Sequence, residues 1–243
     1  TFINTCFENR KMSYYEHCRY RNFEGVVIVC ANFDDPDVIE LMNSEIPVVT
    51  IDYVHHNCTA VTSNNIQGME DLVKYIYSQG HRKIAYIHGQ EGSSVTRDRL
   101  ASFYRTIDEL GLEIPDTYVR SADYLETKGS AKQTKELLNL EDPPTCIIYP
   151  DDTSLIGGRN VIIEMGLRIP RDISVAGYDG TMISQLLYPK LTTIRQNTEM
   201  IGSEAATRLI GTIEKPRTTL VERVVIEGSL VPGQSVGAIQ PKG

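Results

Sequence analysis

The sequence predicts an α/β fold: two doubly wound parallel-sheet lobes joined by crossover strands. Three observations predict it. Short, nearly uninterrupted apolar runs recur along the 243 residues, as parallel strands covered on both faces require. Most are followed by a helical pattern with its own start and stop signals, which favours right-handed strand–helix–strand crossovers. Two strand-like runs come late in the series, where they read as segments returning between the lobes.

The first run is 25–29; after it, Asp35 caps a helix with Pro36 at its first position, where the missing N–H costs nothing. Runs 47–51 and 60–63 follow. Asn64 or Asn65 opens a helix over 66–78, with Met69, Leu72, Val73 and Ile76 on one face and Gly80 beyond its end. Run 83–88 leads to a helix over 97–110, where Leu100, Phe103, Ile107 and Leu110 stay in phase until Gly111. Helices over 127–138, 154–165 and 198–211 alternate with runs 145–149 and 173–177. The late pair is 191–194 and 221–226.

Composition narrows the function. With 41% hydrophobic and 23% charged residues, the chain is an ordinary globular one rather than a disordered or collagen-like one. Its longest apolar run, 26–31, is far short of the ~20 residues that span a bilayer, so no membrane partner is expected. Lys and Arg number 24 against 32 Asp and Glu, a net charge of −8, with no basic cluster of the kind that displaces counterions from phosphates. These residues are not expected to bind DNA themselves. The chain begins without Met, so an upstream segment is expected. Its five Cys include no C-x-x-C, which fits a reducing, cytoplasmic compartment. Cys30 and Cys146 read as small buried hydrophobes.

Catalytic templates fail: there is no P-loop, no G-x-G-x-x-G, no H-E-x-x-H and no G-x-S-x-G. No metal or other cofactor is expected. His55-His56 beside Cys58 makes a poor metal site, since neighbours on an extended chain point to opposite faces. His81, between a helix end and a strand start, is placed to satisfy last-turn carbonyls.

The positive signal lies at strand ends. Asp52 and Tyr53 follow one apolar run, Asp151 and Asp152 a second, and Asp179 a third. In open α/β sheets the carboxyl ends of the strands line the ligand crevice. Carboxylates converging there call for a partner rich in donors, and Arg99, near a helix start, adds a planar fork that donates. With Tyr124, Phe33 and Tyr178 as stacking surfaces, this is the chemistry of polyol or sugar recognition. Each Asp also has a plainer explanation as a helix cap or loop residue. That explanation suits Asp152 best and Asp179 least, because Gly177-Tyr178-Asp179-Gly180 is a turn with little need of a cap.

Several segments occur in a telling order: Ile46-Pro47-Val48-Val49-Thr50-Ile51-Asp52, Val61-Thr62-Ser63-Asn64-Asn65 with Gly68, and Gly80-His81-Arg82-Lys83-Ile84-Ala85. Arg99-Leu100-Ala101-Ser102-Phe103 and Gly166-Leu167-Arg168-Ile169-Pro170 come next, then Asp172 through Asp179 and Leu191-Thr192-Thr193-Ile194-Arg195-Gln196. Over residues 1–232 the chain resembles the effector-binding core of the lactose/galactose-repressor family of bacterial transcription regulators. The resemblance implies a fold like periplasmic sugar-binding proteins, with a ligand cleft between two lobes and three crossovers, near 60–63, 195–197 and 221–226. Residues 1–61 plus 197–222 would form the first lobe, 62–196 plus 223–236 the second, and 237–243 a tail. By position, Asp52 and Tyr53 would face effector from the first lobe, and Arg99, Asp151 and Asp179 from the second, with Tyr124 stacking. Asp151 stands where the family often has Asn, and Ser63-Asn64-Asn65 has Asn where Asp is common.

The resemblance further implies a homodimer whose first-lobe surface positions helix-turn-helix headpieces on operator DNA. The effector would be a sugar or sugar phosphate. No headpiece is present in these residues, and residues 2–5 match the family's second strand, so the first lobe lacks its first strand and helix. Such a gap leaves unpaired backbone groups in a sheet, and residues 1–24 are expected either to pair with 25–29 or to be completed by a partner chain. Two other classes remain. A solute-binding protein of a sugar transporter shares the fold, and a signal peptide or lipid-anchoring Cys upstream would mark it. A glycosidase would need two carboxylates at a defined separation across one bond, whereas this pattern fits recognition without catalysis.

Overall fold

The computed structural model describes residues 6–7 and 10–239, with side chains from residue 12 onward. The chain divides into two compact units, one of 1–63 with 197–226 and the other of 64–196 with 227–243.

The first unit opens with a short antiparallel hairpin, β1 (Cys6–Phe7) and β2 (Arg10–Lys11). Helix α1 (Tyr14–Arg21) starts at a capping box: Glu16 N–H donates to the Ser13 hydroxyl, and Ser13 N–H donates back to the Glu16 carboxylate. Then come β3 (Val26–Ile28), α2 (Pro36–Met42), β4 (Val48–Ile51) and β5 (Thr59–Ser63). Asp35 caps α2 by accepting from Asp37 N–H, with Pro36 as its first residue.

The second unit runs α3 (Asn65–Ser78), β6 (Ile84–His88), α4 (Ser94–Glu109), β7 (Val119–Ser121), α5 (Thr127–Leu138), β8 (Cys146–Ile148) and α6 (Asp152–Glu164). It continues through β9 (Ser174–Ala176), α7 (Met182–Leu186) and β10 (Thr193–Arg195). The chain then returns to the first unit as α8 (Thr198–Glu214) and β11 (Arg223–Ile226), and ends in the second with β12 (Ser229–Val231).

Each unit is a parallel sheet between helices. In the first, the order is β11-β5-β4-β3; α1 and α2 cover one face through Cys18, Val38, Leu41 and Met42, and α8 covers the other through Ile201 and Ala205. In the second, the order is β7-β6-β8-β9. The period-two alternation of strands decides which core each residue joins. Ile84 and Tyr86 pack with Met69, Leu72, Ile76 and Phe103 from α3 and α4; Ala85 and Ile87 pack with Leu137, Leu155 and Ile162 from α5 and α6. A separate antiparallel pair, β10–β12, lies beside this sheet.

Several expectations are corrected. Helix α4 begins at Ser94, three residues before the expected start at 97. Strand β3 ends at Ile28, and Cys30, past that end in a left-handed conformation (φ 53°), is exposed rather than buried; Cys146, inside β8, is fully buried. Among the described residues, β1 and β2 pair with each other and 14–21 is helical, so this part of 1–24 adds no strand to β3. Residues 2–5, expected as a strand, lie outside the described residues. The expected tail also docks in part: Ile239 N–H donates to Gln79 O, and His81 bridges Gly237 O (3.0 Å) and the Thr145 hydroxyl (2.9 Å) rather than the end of α3.

Candidate functional site

The second unit gathers its polar side chains at the carboxyl ends of β6, β8 and β9. Arg99, on the second turn of α4, is 2% exposed. Its Nε donates to Asn65 Oδ1 at 2.8 Å and its Nη1 to Pro150 O at 2.9 Å, while Nη2 lies 3.6 Å from Asp179 Oδ1. The guanidinium carbon sits 3.5 Å from the centroid of the Tyr178 ring, a cation–π contact removed from water. Tyr178 can occupy that place because α3 has Gly68 there; a Cβ would lie 2.2 Å from the Tyr178 hydroxyl. Tyr178 is thus the buried floor under Arg99 rather than an open stacking surface.

Asp179 follows β9 with φ 94°, a left-handed conformation that turns its carboxylate towards Arg99. Gln196 Nε2 donates to the same oxygen. Burial pushes the Asp179 carboxyl above the ordinary carboxylate range, and the Arg99 charge opposes that only in part. Its side chain is 26% exposed against 3% for Arg99, so the accessible polar group of this pair is the acceptor.

The cap of α6 is Asp151 rather than Asp152, and neither carboxylate is exposed. Asp151, expected to face effector hydroxyls, caps α6: it accepts from Ser154 N–H (2.7 Å), the Ser154 hydroxyl (2.7 Å) and Leu125 N–H (2.9 Å), and is 1% exposed. Asp152, expected as a cap, is the first residue of α6 and reaches across to Thr181 N–H (2.7 Å), the Thr181 hydroxyl (3.0 Å) and the Thr193 hydroxyl (2.8 Å). Burial pushes its carboxyl up to about 6, although those donors favour the charged form. Tyr124 is half-buried against Gly89, where a Cβ would lie 2.1 Å from the ring, and its hydroxyl meets that of Thr96 at 2.9 Å. Arg99 lies 5.9 Å from its centroid. The structure therefore brings Arg99, Tyr124, Asp151 and Asp179 to one end of one sheet.

The other two candidates belong to the first unit. Asp52 follows β4 with φ 58°, and its Oδ1 accepts from Ser63 N–H at 2.9 Å, tying two strand ends together. Tyr53 stacks on Phe33, centroids 4.1 Å apart and planes within 2°. Both rings are half-buried. His55 and His56 do approach, with ring centroids 4.2 Å apart, because the chain turns there instead of running extended. The buried Cys58 thiol is pushed up to about 11, and among the described residues no three His, Cys, Asp or Glu side chains are grouped to hold a metal.

Sequence reasoning missed the residues that hold the site. Asn65, Thr96 and Gln196 position Arg99, Tyr124 and Asp179. The only signal for Asn65 was its place in an Asn pair at a helix start, of which just one residue, Asn64, is used as the cap.

A family profile described as "Periplasmic binding protein-like domain" matches residues 73–236. The chain belongs to that family. Its relatives within it carry the names of transcription regulators rather than enzymes. It is 28% identical over 207 residues, 84% of this chain, to the probable HTH-type transcriptional repressor ExuR of Bacillus subtilis strain 168. A LacI transcriptional regulator from Bacillus cereus subsp. cytotoxis superposes with a TM-score of 0.85 at 25% identity, covering 93% of this chain and 80% of that one. The transcriptional regulator CelR, solved with cellobiose, superposes with a TM-score of 0.81 at 25% identity, covering 92% of this chain and 71% of that one. The chain spans about three fifths of the curated relatives it matches. It is homologous to these repressors and matches LacI-family regulators in structure.

Proposed function

We propose that this chain is the ligand-sensing and dimerising part of a cytoplasmic transcription regulator whose effector is a small sugar or related polyol. The observation that carries the reading is the Arg99–Asp179 pair, stacked on Tyr178 at the carboxyl ends of the second unit's strands. Asp179 and Tyr124 would contact effector directly; Arg99 and Asp151, both buried, would hold them in place. Asp52 and Tyr53 would supply the first unit's share, at the end of β4. The cellobiose complex of a structural neighbour supports a saccharide effector. Operator DNA would be bound through a helix-turn-helix headpiece outside these residues. A coupling of ~1–3 kcal/mol between effector and operator would change operator affinity several-fold to about a hundredfold.

The same reading includes a homodimer. Met182, Leu186 and Tyr188 are 78%, 74% and 82% exposed on one uncharged stretch of the second unit, while the chain carries a net charge of −8. Two like-charged copies approach at least cost where neither carries charge. The first-lobe surface expected above is the other candidate, with Leu220 79% and Val221 56% exposed.

Calorimetry against a panel of mono- and disaccharides, following a thermal-shift screen, tests the proposal. One sugar should bind, and Arg99→Ala should abolish its binding while Asp179→Ala weakens it at least tenfold with the circular dichroism spectrum kept. Wild-type affinity in both variants would falsify the site assignment.

A further inference from the structure

We infer that Asp152 is the positioning residue of this site: without reaching effector itself, it fixes the turn that carries Asp179. The inference rests on the reading of Asp179 as an effector contact.

Asp179 needs such a support. Its φ of 94° is a left-handed conformation that strains any residue with a side chain, and a strained backbone persists only where its surroundings determine it. Gln196 holds residue 179 itself, donating from Nε2 to the carboxylate and from its N–H to the carbonyl at 3.2 Å. The residues on either side are tied to Asp152. Its N–H, left over at the first turn of α6, donates to Tyr178 O at 2.9 Å. Its Oδ2 accepts from Thr181 N–H at 2.7 Å and from the Thr181 hydroxyl at 3.0 Å. Its Oδ1 accepts from the Thr193 hydroxyl at 2.8 Å, and that hydroxyl in turn accepts from Gly180 N–H at 3.2 Å. Residues 178, 180 and 181 are thereby fixed by one residue and its relay through Thr193.

An aspartate suits this place. Three donors face it, and an ionised carboxyl offers two oxygens that only accept. The approach is open because residue 177 is Gly: a Cβ there would lie 2.2 Å from Asp152 Oδ1. Asp152 is 0% exposed, so any effect on effector passes through the turn. Burial also pushes its carboxyl up to about 6, which means that the ionised form costs stability at neutral pH. The geometry that the side chain imposes explains it better than a gain in stability does.

Amide hydrogen exchange of the ligand-free chain, read by NMR at Gly180 and Thr181 against Tyr149 and Val175, tests this. The two reference N–H groups donate instead to Ala176 O and Ser235 O. Asp152→Ala should speed exchange about tenfold or more at Gly180 and Thr181 and leave the reference pair unchanged. Asp152→Asn should keep both within about threefold of wild type, because its amide oxygen can take the Thr181 donors while its nitrogen donates to the Thr193 hydroxyl. Thr193→Val should release Gly180 alone. If Asp152→Ala does not fold, the Asn and Val variants decide in its place. Unchanged exchange at Gly180 and Thr181 in Asp152→Ala, or at Gly180 in Thr193→Val, overturns the inference. A loss spread equally over the reference pair overturns it too, since that is a stabilising role and no more. Exchange in Asp152→Asn as fast as in Asp152→Ala overturns the hydrogen-bond relay. No sugar enters this measurement, so its outcome is separate from that of the calorimetric panel, which tests the effector reading.

Discussion

Asp152 shows how a single buried carboxyl makes stability depend on pH. Its carboxyl rises from 3.8 to about 6 in the fold, so the native state holds its proton more tightly than the unfolded chain does. The stabilisation is present in full below about pH 4 and is lost as pH rises through 6, a difference of about 3 kcal/mol. Asp152→Asn removes this titration. The stability advantage of the wild type over the variant, measured by urea unfolding, should therefore shrink by about 2–3 kcal/mol between pH 4 and pH 7; a constant difference would rule the account out. Arg99→Lys should cost about 2–4 kcal/mol, since an ammonium cannot reproduce the fork to Asn65 and Pro150 while lying flat on Tyr178. An unchanged urea midpoint would mean that the fork contributes little. At this scale the sequence singled out Asp179 and Arg99 by type and position. It could not tell Asp151 from Asp152, because adjacent residues at a helix start differ only in which way the turning backbone aims them.

Helices with a clear apolar face were readable as elements. Met69, Leu72, Val73 and Ile76 on α3 are all fully buried. Helix α1 was not readable, because Tyr-Tyr-Glu-His-Cys-Arg-Tyr-Arg carries no apolar stripe; its Ser13–Glu16 capping box and the left-handed Asn22 at its end define it instead. Strand β7, with Val-Arg-Ser, pairs only with β6 at the edge of its sheet and shows no continuous apolar run. Packing between α5 and α6 depends on Gly157, where a Cβ would lie 1.9 Å from Thr127 O. Gly157→Ala must push these helices apart, and a loss of about 3 kcal/mol or more is expected by thermal unfolding. Asp151→Ala removes the α6 cap and strands Leu125 N–H, for an expected loss of about 2–3 kcal/mol by the same measurement. A loss below 1 kcal/mol in either variant would contradict these packing and capping roles.

For the whole molecule, a ligand that binds only the folded state raises its melting temperature. At a hundred times Kd the gain is about 2.7 kcal/mol, or about 5–10 °C for a chain of this size. Leu186→Glu together with Tyr188→Glu should lower the sedimentation coefficient towards that of a monomer, because two charges then enter an uncharged face. An unchanged coefficient would place the dimer surface elsewhere. The order of the apolar strands and of the helices with an apolar face, the parallel sheets and the likeness to a binding family were in the sequence alone; α1, β7 and β12 were not. Apolar runs, caps and glycine stops act over a few residues, and their physics is local. The tertiary structure alone decided that Arg99 is sealed on Tyr178, that Asp179 rather than Arg99 faces outward, and that Asn65, Thr96 and Gln196 hold the set in place. Those facts depend on residues far apart in the chain meeting in a protein interior, where the loss of water decides which charges stay accessible.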